Sequence, residues 1–362
     1  MSTVLQLPRS RHTLRAQAAP RIALLGTGVV GSAFDARCGR LREAGVEVPG
    51  FAWLGNSRSL AESVDDPAVA LALVNAAPVR RAPWAPWAAA TGLQRGDVVV
   101  DATASDTVAG WHAEWLARGV HVVTANKLGS GGDLARAQAI AEAAAGSGAR
   151  YGDAATVGAG LPVLRAIRGL VAGGDRIHGI EGLLSGSLAW LFDRHDGRRP
   201  FSALVHEARA RGYTEPDPRI DLSGEDVRRK LLILARAAGI PLEADAVKVE
   251  SLVPEALAVA AADGLDDALA SIDAPLDTLR ARAHADGARL RFVARFDGEE
   301  VAVGLRALPA QHPLCAGGGT DNRVAIRSCR YQAQPLVIQG PGAGAEVTAA
   351  GLLDDVLTFV HG

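Results

Sequence analysis

The stretch RIALLGTGVVGSAF, residues 21–34, restricts the fold more than any other part of the chain. A short apolar run enters a turn that carries Gly26, Gly28 and Gly31 in GxGxxG spacing, and a helical pattern leaves it. Each glycine has its own duty in such a turn. Gly26 permits the tight bend, Gly28 lets a pyrophosphate approach the backbone, and Gly31 lets the helix pack close to the strand. The phosphate charge then meets the positive end of the helix. Thr27, Val29 and Val30 share the turn and are expected beside the same dinucleotide.

The pattern around this turn repeats. SAFDARCGRLREAG reads as a helix, VPGFAWLGNS as a strand, GDVVVDAT as a strand, VAGWHAEWLARG as a helix and VHVVTANK as a strand. Strands separated by helices of this length imply a parallel sheet with covering helices, which reaches about residue 155. The fold class is α/β, with a Rossmann-type dinucleotide-binding domain over 21–155. The second strand ends in WLGNSRSL, where no acid stands to bind a ribose 2′-hydroxyl. Ser57 and Arg58 are placed to bind a 2′-phosphate instead, which favours NADP over NAD. An ordinary surface arginine fits that position too. The stretch APVRRAPWAPWAAATG, with its prolines and tryptophans, cannot form one regular element and reads as a surface excursion or a subunit contact.

The second half mixes strands and helices. IHGIEGLLSGSLAWLFD reads as a strand running into a helix, and RLRFVARFDGEEVAVGLRAL as a hairpin with Asp297-Gly298 at its turn. NRVAIRSCRY and PLVIQGPG add strands, and AGAEVTAAGLLDDVLTFV reads as an amphipathic helix. An α+β catalytic and dimerisation domain is expected over 156–340, with 341–362 as a C-terminal segment. Residues 1–20, which carry Arg9, Arg11 and Arg15 and no acid, are expected to be a disordered tail. A formal net charge of −2 gives no electrostatic case for nucleic acid or an anionic membrane. No apolar run approaches the roughly 18–20 residues that span a bilayer. Three scattered cysteines fit a reducing cytoplasmic setting better than a disulfide framework.

Two lysines stand out. Lys127 ends a strand, where residues of parallel sheets line the ligand crevice. A ligand-facing ammonium and a solvated lysine fit it equally. Lys230 lies in GYTEPDPRIDLSGEDVRRKLLILAR, residues 212–236. Ser223 is expected to cap the helix that follows, with Asp226 three residues on as in a capping box. Val227, Leu231, Leu234 and Ala238 form its apolar stripe, and Arg228, Arg229, Arg236 and Glu225 fall on the water side. Lys230 flanks the buried face, four residues from Asp226. The pair suits general acid–base work, or merely stabilises the helix. Upstream, Pro216 and Pro218 stiffen a loop that carries Glu215, Asp217 and Asp221. That loop suits a substrate ammonium, or is a solvated acidic turn.

Taken together, these segments resemble the homoserine dehydrogenase family, from about Arg21 to the C-terminus. GYTEPDPRIDLSGEDVRRKLLILAR is the specific signal. VVDATAS, GVHVVTANK, ATVGAGLPVLRAI, GLLSGSLAWLF and GPGAGAEVTAAG look like family segments too. The core is similar to the dehydrogenase part of bifunctional aspartate kinase–homoserine dehydrogenases. No C-terminal regulatory domain is expected, hence no feedback inhibition through one.

The resemblance implies reversible hydride transfer between a nicotinamide cofactor and the L-homoserine/L-aspartate 4-semialdehyde pair, in threonine and methionine biosynthesis. Lys230 matches the acid–base lysine and Lys127 a second active-site lysine. Glu215, Asp226 and Asp221 match substrate-binding acids. Thr103, Ala104, Ala125, Lys127, Gly212, Glu215 and Gly344 match positions that line the cofactor site, and Gly344 implies a C-terminal segment that returns to the nucleotide domain. A homodimer is implied by the family alone. So is a sodium ion on the backbone carbonyls of Val157, Ala159 and Leu161. The chain departs from the pattern there, with Ala154 where relatives carry an acid and Asp153 one position earlier. Two other functions fit part of the pattern: a dehydrogenase for a different amino acid, and a cofactor-binding sensor without turnover. Retention of both Lys127 and Lys230 weighs against the sensor.

Overall fold

A computed structural model describes residues 19–62, 66–78, 92–298 and 300–362. The expectations for the N-terminal tail and for the proline–tryptophan stretch near 78–92 fall, apart from their end residues, outside the described residues.

The first sheet holds β1 Ile22–Leu25, β2 Phe51–Gly55, β3 Leu60–Glu62, β4 Val98–Asp101, β5 His121–Thr124 and β6 Tyr151–Gly152, in the order β3-β2-β1-β4-β5-β6. Pairing is parallel from β2 to β6. Only the edge strand β3 runs antiparallel, an addition to the expected parallel sheet. Its cause is local. Asn56 Oδ1 accepts from the N–H groups of Arg58 and Ser59, at 2.8 and 3.1 Å, and folds the chain back on itself. Apolar strand residues alternate between two cores. Ile22 and Leu24 meet Phe34 on one face, while Ala23 and Leu25 meet Trp53, Trp115 and Leu116 on the other. Helix Ala345–His361 adds Leu352, Leu353 and Val356 to the first of these cores.

The second sheet holds β7 Ile177–Leu183, β8 Lys248–Val249, β9 Ala288–Phe296, β10 Val301–Pro309, β11 Asp321–Ser328 and β12 Leu336–Pro341, in the order β12-β11-β7-β9-β10-β8. It is antiparallel except where β10 meets β8. The expected hairpin forms between β9 and β10. Gly298 turns at φ +88°, and the Glu300 N–H donates to Asp297 Oδ1. Ile180, Phe292, Val303, Val324 and Ile326 face helices Val163–Ala172, Phe201–Ala210 and Glu225–Ala237 in one large core. That core holds the Lys230 helix on the sheet.

Leu353 is fully buried between the C-terminal helix and the first sheet. Leu353→Ala is expected to lower stability by about 2–5 kcal/mol, since the site is packed on both sides. A shift of the urea unfolding midpoint checks it.

Candidate active site

The crevice lies where strand order reverses, between the carboxyl ends of β1 and β4. Gly26 sits there at φ +93°, and a Cβ on it would lie 2.7 Å from the Ala102 carbonyl oxygen. A Cβ on Gly31 would lie 1.8 Å from the Gly26 carbonyl oxygen, so only glycine lets this helix start so near the strand. At Gly28 the opposite holds: a Cβ there would meet nothing within 4 Å beyond its own chain neighbours. Gly28 caps helix Val29–Glu43 without a side-chain bond, and the first turn carries no acid. Free N–H groups at the positive helix end thus face open space, as an anion requires. Val29 is 79% exposed at the same spot. Val30 packs partly into the core.

Thr27 is buried; its hydroxyl accepts from Asn56 Nδ2 at 2.8 Å and donates to Asn75 Oδ1. Ser57 and Arg58 occupy the exposed β2–β3 turn beside this cluster. The Arg58 guanidinium spends one donor on the Asn75 carbonyl, at 3.1 Å. Across the crevice, Thr103 and Ala104 follow β4, and Ala125 and Lys127 follow β5.

The second half of the site comes from helix Glu225–Ala237. Lys230 projects from it and is only 10% exposed. Its Nζ donates to Asp226 Oδ2 at 2.9 Å and to the Leu184 carbonyl at 2.6 Å. Asp226 Oδ1 meets Lys127 Nζ at 3.2 Å. One carboxylate therefore joins the lysine that follows β5 of the first sheet to the lysine on the helix that packs against the second. Burial works against ionising Asp226. The ammonium groups of Lys230 and Lys127 together overcome this and hold its carboxyl well below the usual carboxylate range. Two ammoniums against one carboxylate leave the spot with net positive charge.

The acidic loop divides by partner. Asp217 caps the short helix Pro218–Leu222 and grips Arg219 at 2.7 Å, so it is a structural residue. Asp221 accepts from the Ser187 hydroxyl at 2.7 Å and from the Glu215 N–H at 2.8 Å, which fixes the loop. The Glu215 side chain is exposed and without an ion-pair partner among the described residues. Gly212, at φ +69°, ends helix Phe201–Ala210, and Gly344, at φ +115°, caps helix Ala345–His361 with open space around it.

Two expectations about the Lys230 helix are corrected. Ser223 does not hold the N-cap position, because it closes the preceding short helix; its hydroxyl donates to the Ile220 carbonyl and also accepts from the Glu225 N–H, at 3.2 Å, at the start of the Lys230 helix. Gly224, at φ +78°, is the cap, and Asp226 completes no capping box because its carboxylate is taken by the lysines. Nor does Arg236 face water: its guanidinium donates to the Ser130 and Gly132 carbonyls beyond β5. A helical wheel gives a direction, not the neighbour standing there. The Leu184 carbonyl was missed as well, and a backbone partner leaves no mark on side-chain pattern.

In the loop meant for a cation, Gly158 and Ala159 take positive φ values of 77° and 51°. Asp153 cannot replace the missing acid. It is buried and bound by both Arg168 amino groups, at 2.6 and 2.9 Å.

Comparison with known proteins agrees with this geometry. Residues 162–357 match the homoserine dehydrogenase family model, and residues 26–152 match the homoserine dehydrogenase NAD-binding domain. The chain is 38% identical over 272 residues to the homoserine dehydrogenase of Saccharomyces cerevisiae, covering 73% of this chain and 75% of that protein. The chain belongs to the homoserine dehydrogenase family. It is 46% identical over 263 residues to the chloroplastic bifunctional aspartokinase/homoserine dehydrogenase 1 of Zea mays, covering 72% of this chain but only 29% of that longer protein. A crystal structure of a putative homoserine dehydrogenase from Archaeoglobus fulgidus superposes with a TM-score of 0.78 at 26% identity, covering 94% of this chain and 98% of that one. Lys127 lies within the matched NAD-binding segment, and Glu215, Asp226 and Lys230 within the matched dehydrogenase segment. Residues 153–161, with Val157, Ala159 and Leu161, lie between the two. No helix among the described residues is long and apolar enough to cross a membrane.

Because folding lowers the Asp226 pKa, its ionisation stabilises the fold above the unfolded carboxylate value and loses that effect as pH falls. The stability deficit of Asp226→Asn is expected to be constant above about pH 5 and to narrow towards pH 3. Urea unfolding of both proteins across that range checks the sign.

Proposed function

We propose that the protein interconverts L-homoserine and L-aspartate 4-semialdehyde with a nicotinamide cofactor. The observation that carries this reading is the Lys127–Asp226–Lys230 cluster at the mouth of the dinucleotide crevice. The residues present fit the cofactor: the open cradle at Gly28 and the uncapped helix end suit its pyrophosphate. A nicotinamide bound there would supply the acceptor for the hydride of the alcohol carbon and, in reduced form, the hydride for the aldehyde.

The chain's own part is proton handling and orientation. Lys230 spends two of its three N–H donors on Asp226 and Leu184, and the third is left for the substrate oxygen. In the reducing direction it gives that proton to the oxygen of the aldehyde; in the oxidising direction a neutral amine takes it from the hydroxyl. Net positive charge stabilises the developing alkoxide. Asp226 holds both lysines in place. Glu215, on the loop pinned by Asp221, is the free acid for the substrate ammonium.

Thr103, Ala104, Ala125, Gly212 and Gly344 are read as cofactor-lining positions. Arg58 is read as the contact for a 2′-phosphate, giving a preference for NADP. The domains are read as 21–155, 156–340 and a returning segment 341–362, in a cytoplasmic homodimer. Cys38 and Cys315 are buried and Cys329 is exposed. The sodium site fits poorly, since Asp153, the acid next to the departure at Ala154, is taken by Arg168. Proton transfer at Lys230 needs no such ion. Turnover in a choline salt is expected to match turnover in sodium, and a sodium requirement would contradict this reading.

The direct test follows absorbance of the reduced nicotinamide as the protein meets L-homoserine with NADP, then with NAD. Turnover is expected with both, and Lys230→Ala is expected to cost about 10²–10⁴-fold in kcat while cofactor still binds. No turnover in a folded protein that binds cofactor would leave the sensor reading in its place. Arg58→Ala is expected to weaken NADP by about 10–100-fold and NAD hardly at all, the effect of one charged hydrogen-bonded contact.

A further inference from the structure

Residues 127–132 leave β5 and run along helix Glu225–Ala237, touching it at three places. At one end Lys127 meets Asp226 at 3.2 Å. In the middle Gly131 has no room for a side chain: a Cβ there would lie 2.7 Å from the Lys127 carbonyl oxygen, 2.9 Å from that of Arg229 and 3.1 Å from Ile233. At the far end Arg236 Nη1 donates to the Ser130 carbonyl at 2.6 Å and to the Gly132 carbonyl at 2.8 Å. Its Nε and Nη2 donate to the Leu242 carbonyl, at 3.1 and 2.8 Å, so the guanidinium is itself tied down.

We propose that Arg236 is a positioning residue for catalysis: it clasps residues 130–132 to the Lys230 helix and so sets where Lys127 stands. The proposal rests on the dehydrogenase reading above. Ten residues of helix separate Asp226 from Arg236, about 15 Å. Held only at Lys127, the segment would depend on an ion pair whose partners are 33% and 42% exposed, and such pairs hold long side chains weakly. Arg236 binds backbone carbonyls instead, which have no rotamer to escape into. Its planar fork reaches two carbonyls of the segment and one on its own side at once, which a lysine cannot do. The clasp spans the two halves of the site, where cofactor comes from one side and the proton donor from the other. A displacement of about 1 Å between such halves is enough to cost on the order of 10²-fold in rate.

The test compares Arg236→Ala with wild type by kcat, by cofactor affinity from nicotinamide fluorescence, and by thermal unfolding. Since the cradle at Gly28 is untouched and Lys127 is only one of the positions that line the cofactor site, NADPH affinity is expected to change by no more than a few-fold while kcat falls by about 10–100-fold. Millimolar guanidinium chloride is expected to restore part of kcat, and equimolar sodium chloride none. Should Arg236→Ala fail to fold, Gly131→Ala carries the same test, because its Cβ pushes the segment off the helix. The same loss of kcat with intact cofactor binding is expected there. Unchanged kcat in either folded variant would overturn the proposal. So would a loss in Arg236→Ala that guanidinium does not relieve, or a loss in either variant that tracks weakened cofactor binding. Wild-type protein without homoserine turnover would instead refute the dehydrogenase reading, and the proposal with it.

Discussion

Asp226 receives Lys230 at 2.9 Å and Lys127 at 3.2 Å; Lys230 stands on a helix packed against the second sheet, and Lys127 follows a strand of the first. Much of the molecule is arranged around this shared carboxylate. The large core beneath the second sheet fixes the helix that carries Asp226 and Lys230, with Val227, Leu231 and Leu234 fully or almost fully buried. The parallel pairing of β4 with β5 fixes the strand end that carries Lys127. Neither sheet alone contains the cluster. A charged group so close to a core survives because it is paired on both oxygens, as partly buried charges require.

The cofactor end of the crevice depends on a steric constraint rather than an electrostatic one. Gly26 and Gly31 bring strand, turn and helix so close that a methyl group at either would strike backbone. The free space at Gly28 follows from that compaction. The same economy recurs at Gly131, where backbone of the first domain lies against backbone of the second. On the proposed reading, the two contacts would let hydride donor and proton donor approach a common point from rigid elements, which favours reaction over diffusion of loosely held parts.

Much of this was legible in the sequence, for identifiable reasons. GxGxxG after a strand has few other uses, and an Asp and a Lys four apart on a helix must share a face. The carboxylate's second partner, Lys127, was named only as a candidate, since 99 positions of chain separate the two residues and no periodicity links them. Ser223 looked like a helix cap because serine usually is one. Its hydroxyl does accept from the Glu225 N–H, but its backbone closes a short helix ahead of it, and Gly224 supplies the left-handed turn at the N-cap position. Arg236 looked solvated because the wheel ignores what another domain places outside the helix. Asp153 looked available as a metal ligand until Arg168, fifteen residues on, was seen to hold it from the next helix.

The most direct measurement is a crystal structure of the protein with NADP and L-homoserine bound. The account predicts the substrate hydroxyl within hydrogen-bond distance of Lys230 Nζ, its carbon facing the nicotinamide ring, and its ammonium against Glu215. A substrate bound away from both lysines, with Asp226 still bridging them, would show the cluster to be structural and contradict the account.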